Sequence, residues 1–394
     1  MSRAGRSSWL TSTTITSLDE LRGLRAEWDA LLAEVESATV FQSWDWVAAW
    51  FTAFARHQSV RVLLLRDADG QLVGVAPGAL TVGPLGIRTV GLLGRGKYLA
   101  EYGDAVIHPA FAEEAAAAIA EAWDQGANAW DRLILHNISP DGPLNRAAEL
   151  LVSRGYRRIV THHNAAVRGR LPATWAAFHR SLRKSMRDNV NNYVNRLCRD
   201  GHRVRLMLAT AATLDQYLDC LFSLHRLRAN SPLRPKHDDY FAAVDKRRFV
   251  RDVARPLLES GRLELAVLEV DGVRVAAQLC LRQGTRFSPY YSGYDPAWAH
   301  HGVMTVLTRY CIELAIERGC QDLDMLCGAT HEKLRWGGKP VPLVSAVVVG
   351  RRLGSRAKVR AYNLHWRCRV FLWRAVQARA FNRWLAAVSG GSSG

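Results

Sequence analysis

No CxxC pair occurs among the seven cysteines, which stand at Cys198, Cys220, Cys280, Cys311, Cys320, Cys327 and Cys368. An odd, scattered set of this kind excludes a disulfide framework and a zinc ribbon, and it fits a reducing compartment. His162 and His163 have no further ligand at metal spacing, so no metal is expected. The cysteines also have no His and acid arranged for a thiol nucleophile. No run approaches the ~18 consecutive apolar residues that a spanning helix needs. Residues 1–21 hold a few basic side chains but no apolar core of the signal-peptide kind. These absences predict a cytoplasmic protein.

Acidic residues are missing from one long stretch. From Gly350 to the end there are ten Lys or Arg and no Asp or Glu, so that tail carries +10 of the net +17. A second dense patch, Arg168 to Arg205, sets ten basic residues against Asp188 and Asp200. Such an excess favours an anionic partner: nucleic acid, acidic lipid, a phosphorylated cofactor or an acidic carrier protein. In the tail Tyr362, Trp366, Val370 and Trp373 recur at helical spacing, followed by Phe381 and Trp384. This cationic aromatic helix suits either packing on the body with snorkelling arginines or contact with an anionic membrane from its cytoplasmic face.

What is present reads as an α/β (α+β) chain of two similar halves. A length of 394 residues favours two domains and a tail, expected over 1–165, 166–350 and 351–394. Ser17 and Glu20 form a capping box for a helix over Ser17–Glu34, and Ser43 caps a helix through WDWVAAWFTAF. Strand-like runs Val60–Arg66 and Leu72–Leu80 flank the turn Asp69-Gly70. Helices are expected over Glu113–Trp123 and Leu144–Arg154, with a strand at Arg132–His136 between them. The second half begins with a long basic helix, Thr174–Arg199, and a strand, Arg203–Leu208. Helices Leu214–Arg228 and Phe241–Ser260 follow, then a meander of Leu263–Val270, Arg274–Leu281 and Arg286–Ser292. Gly302–Arg318 is helical, and Asp322–Leu326 and Val341–Val349 are strands.

The stretch from LELAVLEVDGVRVAAQ through YYSGYDPAWAHHGVMTVL to DMLCGATHEKLRWG resembles the GNAT domain of BioF2-like or CelD-like acetyltransferases, relatives of the Fem peptidyl transferases, which are tandem GNAT proteins. FHRSLRKSMRDNVNNYVNRLCRDG, LFSLHRLR, FQSWDWVAAWFTAF and EYGD carry a looser likeness, so the resemblance spans about residues 40–340. It implies tandem GNAT-like domains and an N-acyltransferase that moves an acyl group from a thioester donor to an amine. Between Tyr294 and Met304 the chain passes from a strand through Asp295-Pro296 into a helix at Gly302, a geometry that presents free N–H groups and the positive end of a helix dipole. The resemblance implies that His301, Gly302, Val303 and Met304 contact the donor's pyrophosphate there. Only one glycine of the family's Q/R-x-x-G-x-G/A loop remains, which leaves acyl-CoA, acyl carrier protein and aminoacyl-tRNA open as donors.

Aminolysis of a thioester needs a proton acceptor for the amine, a proton donor to the thiolate, and polarisation of the carbonyl. Tyr291, Tyr294, Asp324 and Lys333 are the candidate catalytic residues: tyrosines to protonate or position, Asp324 to orient or deprotonate the amine, and Lys333 to stabilise the oxyanion or hold a substrate anion. Tyr102 and Asp104 of EYGD match a segment that faces the acceptor in Fem relatives. With His225, Arg228 and Asp295 they are the candidate acceptor-binding set. Gly94-Arg95-Gly96-Lys97 lacks the spacing and hydroxyl of a P-loop and reads as a loop. Arg183, Lys184, Arg187 and Arg196 on the basic helix could grip RNA or a carrier protein. The competing expectation is a catalytically silent tandem scaffold attached to a membrane or polysaccharide-building machine. The sequence leaves the acceptor amine (amino sugar, amino acid or a related small molecule), the acyl length and the oligomeric state open.

Overall fold

The structure, a computed structural model, describes residues 10–54, 58–93, 100–232 and 238–365. In chain order the elements are β1 (Thr11–Ile15), α1 (Leu18–Gly23), α2 (Arg25–Glu34), α3 (Trp44–Phe54), β2 (Ser59–Val60), β3 (Val62–Arg66), β4 (Leu72–Ala76), β5 (Gly78–Val82), β6 (Arg88–Leu92), β7 (Val106–Ile107), α4 (Ala112–Gln125), β8 (Arg132–Ile138), α5 (Pro143–Ser153) and β9 (Arg157–Arg170). There follow α6 (Trp175–Ser181), α7 (Lys184–Arg199), β10 (Val204–Leu208), α8 (Leu214–Asn230), α9 (Val244–Glu259), β11 (Leu263–Val270), β12 (Val273–Gln283), β13 (Arg286–Tyr294), α10 (Val303–Glu317), β14 (Asp322–Cys327), α11 (His331–Leu334) and β15 (Lys339–Val349). A last described helix covers residues 353–365.

A mixed sheet of 11 strands runs β10-β11-β12-β13-β14-β9-β15-β8-β6-β5-β2, and a smaller one runs β1-β3-β4-β7. All pairings are antiparallel except β13 with β14 and β6 with β8. Those two parallel pairs mark the same plan used twice: an antiparallel hairpin, a crossover through a helix (α10 or α4), and a parallel return strand. The two copies are stitched by β15, which lies between β9 and β8 and pairs with β9 along its whole length. Helices α1–α3, α8 and α9 build one core around Trp28, Trp46, Phe51 and Phe249; α6, α7 and α10 build a second around Met186, Val306 and Leu307; α4 and α5 build a third around Ile119 and Leu144.

The capping box at Ser17 and the Ser43 cap are present, with Trp46 N–H donating to Ser43 Oγ at 3.3 Å. Several expected elements are interrupted. The helix expected over Ser17–Glu34 turns at Leu24, which divides α1 from α2. The basic helix breaks at Leu182-Arg183, and Arg187 caps the break by donating from Nη1 to the Leu182 carbonyl at 2.6 Å. Runs 60–66 and 72–80 form the hairpin β3/β4 as expected, but each also leaves it. Pro77 has no N–H to continue the ladder, and beyond it β5 crosses into the large sheet to meet β2. The helix expected from Phe241 begins at Val244. The strand β9 was not foreshadowed, because THHNAAVRGR is polar and lacks a clean alternation.

The start of the tail packs on the body. Ser355 Oγ donates to Oδ1 of the buried Asp131 at 2.8 Å, Lys358 Nζ stands 3.4 Å from its Oδ2, and the Arg132 guanidinium lies 4.7 Å from the Tyr362 ring centroid. Trp366, Val370, Trp373, Phe381 and Trp384 lie outside the described residues, as does the loop Gly94–Lys97. No described helix is long and apolar enough to cross a membrane.

Candidate active site

The parallel strands β13 and β14 pair only at Arg286/Asp322 and Phe287/Leu323. Beyond those residues they part, and the gap is lined from three directions. From β13 come Tyr290 and Tyr291. The ladder with β12 joins Leu279 to Tyr291 and Cys280 to Pro289, so Tyr290 is the extra residue of a β-bulge. The bulge turns neighbouring side chains to one side: the two rings lie 3.9 Å apart and the Tyr290 hydroxyl donates to that of Tyr291 at 3.0 Å. Pro289, which cannot donate to a ladder, sits where the pairing slips. Burial pushes the Tyr291 phenol far above its ordinary pKa, so it stays protonated. Because it accepts from Tyr290, its own proton is available to a ligand.

From the first half come Glu101 and Tyr102. The glycine of EYGD is required by packing: a side-chain carbon on Gly103 would lie 2.5 Å from the His136 carbonyl oxygen. Tyr102 is buried and donates to Asp324 Oδ1 at 2.7 Å. Arg168 Nε donates to Asp324 Oδ2 at 2.9 Å while its guanidinium lies 5.1 Å from the Tyr102 ring centroid. The Leu326 N–H adds a third bond to Asp324 at 2.9 Å. Asp324 therefore faces three donors in a buried site, an arrangement that orients its neighbours. Asp104 is also committed, accepting from the N–H groups of Ala105 and Ser139 at 3.0 Å each.

Glu101 and Lys333 face one another across the mouth of the gap. Glu101 Oε2 accepts from the Cys327 N–H at 3.2 Å, and Lys333 Nζ donates to the Cys327 carbonyl. Burial raises the Glu101 carboxyl above the usual range, against the pull of the Lys333 charge and the Cys327 amide. Burial lowers the Lys333 ammonium, opposed by Glu101, Cys327 and Asp324. Burial and the Glu101 charge push the Cys327 thiol well up, so it is no nucleophile; it donates to the Glu101 carbonyl at 3.1 Å. Two residues with left-handed backbone bracket this pair, Asn137 at φ 48° and Leu326 at φ 65°. Asn tolerates that region; for Leu it stores strain of about 1–3 kcal/mol. The Leu326 kink breaks the β14/β9 register between Asp324 and Cys327 and aims the Cys327 amide at Glu101.

A second group lies on α8 beside β13. His225 Nδ1 stands 2.9 Å from the Ser292 carbonyl, and Nε2 lies 3.2 Å from the Tyr240 nitrogen and 3.3 Å from the Asp238 carbonyl. Burial lowers its pKa. Its part is to pin α8 to β13. One turn on, the half-buried Arg228 guanidinium lies 5.6 Å from the Tyr294 ring and reaches Ser292 Oγ at 3.4 Å. Among the described residues no carboxylate stands within 4.0 Å of it. Asp295 caps the 3₁₀ turn Pro296–His301, accepting from Ala297 N–H at 3.0 Å.

The turn into α10 does not fit a pyrophosphate. Gly302 takes φ 61° and is covered by the Tyr193 ring of α7: a side-chain carbon on Gly302 would lie 2.4 Å from Tyr193 Cγ. His301 is buried and its Nε2 stands 3.1 Å from Asp200, and Val303 is buried beneath the turn. The structure brings Tyr291, Asp324 and Lys333 of the expected catalytic set together with Tyr102 of the expected acceptor set. The sequence reading was incomplete there. It overlooked Glu101, though EYGD contains it, and counted Arg168 only as charge. Among the described residues no three His, Cys, Asp or Glu converge as metal ligands.

Residues 184–334 match the model of an acetyltransferase (GNAT) domain. The fold is similar to that of FemX, with a TM-score of 0.59 at 11% identity over 86% of this chain and 96% of that one. It is also similar to a conserved protein of unknown function from Bacteroides thetaiotaomicron VPI-5482 (TM-score 0.55, 10% identity, 86% of this chain and 100% of the other). The C-terminal domain of a putative lysylphosphatidylglycerol synthetase from Agrobacterium fabrum gives a TM-score of 0.52 at 14% identity, over 89% and 96% of the two chains. No curated protein matches the sequence. Residues 184–334 thus carry an acetyltransferase (GNAT) domain, set within a fold similar to that of FemX.

Proposed function

We propose that the chain transfers an acyl group from a thioester or comparably activated ester to a small-molecule amine in the gap between β13 and β14. The observation that carries this reading is the Glu101–Lys333 pair, a carboxyl raised and an ammonium lowered by burial, at the mouth of that gap. A carboxylate of raised pKa is a competent base for an incoming ammonium near neutral pH. Lys333 and the Tyr291 hydroxyl supply donors for the oxyanion and the leaving group. Asp324, Tyr102 and Arg168 form the wall that holds Glu101 in place. Arg228, with no carboxylate within 4.0 Å among the described residues, suits a carboxylate or phosphate on the acceptor.

The turn before α10 is covered by the Tyr193 ring, which leaves no room for a diphosphate against Gly302. That one observation favours a second reading in which the acyl group arrives on a carrier protein or a tRNA. The first reading is tested with a donor free of phosphates, acetyl-N-acetylcysteamine thioester, offered with a panel of amino sugars and amino acids and followed by mass spectrometry. Amide formation should occur and fall at least ~100-fold in Glu101→Gln, within the range of general-base effects. Equal rates in the folded variant would remove Glu101 from the chemistry.

A further inference from the structure

Three consecutive residues at the start of α10 are each held by a different residue on one face of α7. The His300 carbonyl accepts from Arg196 Nη1, His301 Nε2 pairs with Asp200 at 3.1 Å, and Gly302 lies under the ring of Tyr193. Residues 193, 196 and 200 are one and two helical turns apart, so the contact follows the helix axis. The Tyr193 ring is seated flat against the glycine: a carbon at the Cβ position would be 2.4, 2.5 and 2.6 Å from its Cγ, Cδ2 and Cδ1 atoms. Glycine at such a turn ordinarily lets a phosphate come close to the backbone. Here the space is filled by an aromatic ring, and the Asp200 carboxylate adds a negative charge beside it. The Arg196 guanidinium, 5.7 Å from the Tyr193 ring centroid, is already engaged with the His300 carbonyl.

We infer that Tyr193 is a specificity-determining residue that fills the phosphate cradle at the head of α10 and thereby excludes the diphosphate of coenzyme A from it. The donor's phosphate-bearing part is consequently held away from residues 301–304, and α7 decides which donors are accepted. This is independent of the role given to Glu101, since it concerns binding and not transfer.

The test uses the full chain with coenzyme A as the probe, by calorimetry and by hydrogen exchange of the amides of residues 302–306. In the unaltered chain coenzyme A should leave the exchange of those amides unchanged, whether or not it binds elsewhere. In Tyr193→Ala it should bind at least tenfold more tightly than to the parent and protect the same amides. Protection of residues 302–306 in the unaltered chain would overturn the proposal. So would a folded Tyr193→Ala variant that gains no affinity, because the ring would then not be what excludes the diphosphate. The exchange measurement on the unaltered chain decides the matter alone if the alanine variant does not fold. A null result with Glu101→Gln in the transfer assay leaves both readouts untouched, so the two readings fail separately.

Discussion

The Tyr102 hydroxyl donates to Asp324 Oδ1 at 2.7 Å, across 222 positions of sequence. Both side chains are buried, and the bond ties the EYGD segment of the first half to the return strand of the second. Removing the hydroxyl leaves the buried carboxylate one donor short, a loss of about 1–3 kcal/mol. Tyr102→Phe should therefore lower unfolding stability by that amount, read from urea titration with an unchanged slope. A change below ~0.5 kcal/mol would mean that the Leu326 and Arg168 bonds already satisfy Asp324.

The pH dependence of transfer follows from the opposed shifts of Glu101 and Lys333. Burial raises the carboxyl, so the acidic limb, where activity grows as Glu101 loses its proton, should lie above the ordinary glutamate value of about 4.3. Burial lowers the ammonium, so the alkaline limb should lie below about 10.4. Glu101→Gln should abolish the acidic limb. An acidic limb that persists in that variant would assign the titration to another group.

Lys333→Ala should lower turnover at least ~10-fold, equivalent to ~1.4 kcal/mol of transition-state stabilisation. Unchanged turnover in a folded variant would reduce Lys333 to a support for the Cys327 carbonyl.

Much of the fold was legible because its signals were local. The Ser17 box, the Ser43 cap, the Asp69-Gly70 turn and the apolar runs of the meander each specify their element within a few residues. The failures have long-range causes. Nothing near Leu182 announces a helix break, because the break is stabilised by Arg187 reaching back to a carbonyl that only the finished turn exposes. Strand β9 joins β14 to β15 and gives only Ala166 and Val167 to the apolar cores, while its stretch 160–163 is exposed, so it carries no clean apolar alternation. In the candidate site, Tyr291 and Asp324 were singled out on recognisable strands and Lys333 just after one. Glu101 drew no attention because the burial that raises its pKa is built by segments remote in sequence, Cys327 lying 226 positions away. Pro289 inside an otherwise regular strand was a readable sign of the bulge that pairs Tyr290 with Tyr291. The cover over Gly302 was not readable at all, since Tyr193 is simply one more residue on a basic helix.

Asp131 gathers Arg88, Ser355 and Lys358 around a buried carboxylate. Burial alone would raise its pKa, but bonds from Arg88 and Ser355 overcome that and hold it far below the usual carboxylate range. A depressed carboxyl stabilises the fold above its unfolded pKa of about 3.9 and loses that contribution as pH falls. Asp131→Asn should therefore cost roughly 3 kcal/mol at pH 7. The gap to the parent should begin to narrow near pH 3.9 and keep closing as pH falls towards the depressed folded value. A gap that stays constant with pH would show the loss to be one of packing.

Arg228→Ala should raise KM for acceptors that carry a carboxylate or phosphate at least ~10-fold, while neutral amines lose less than ~3-fold, as expected for loss of one charge-assisted contact. Equal effects on both classes would make Arg228 a packing partner of Tyr294 only.

The placement of β15 also bears on how the chain is made. Strand β8 ends at Ile138 and its partner begins at Lys339, so roughly 200 residues must leave the ribosome before the two can join, about 10–40 s at ordinary synthesis rates. During that interval the first half exposes the open edge of β8, and β9 lacks the neighbour with which it makes its longest pairing. A nascent chain with such an edge is a target for chaperones and for pairing with other chains. The strand that completes the sheet is thus also the one whose late arrival sets when the protein becomes safe from aggregation.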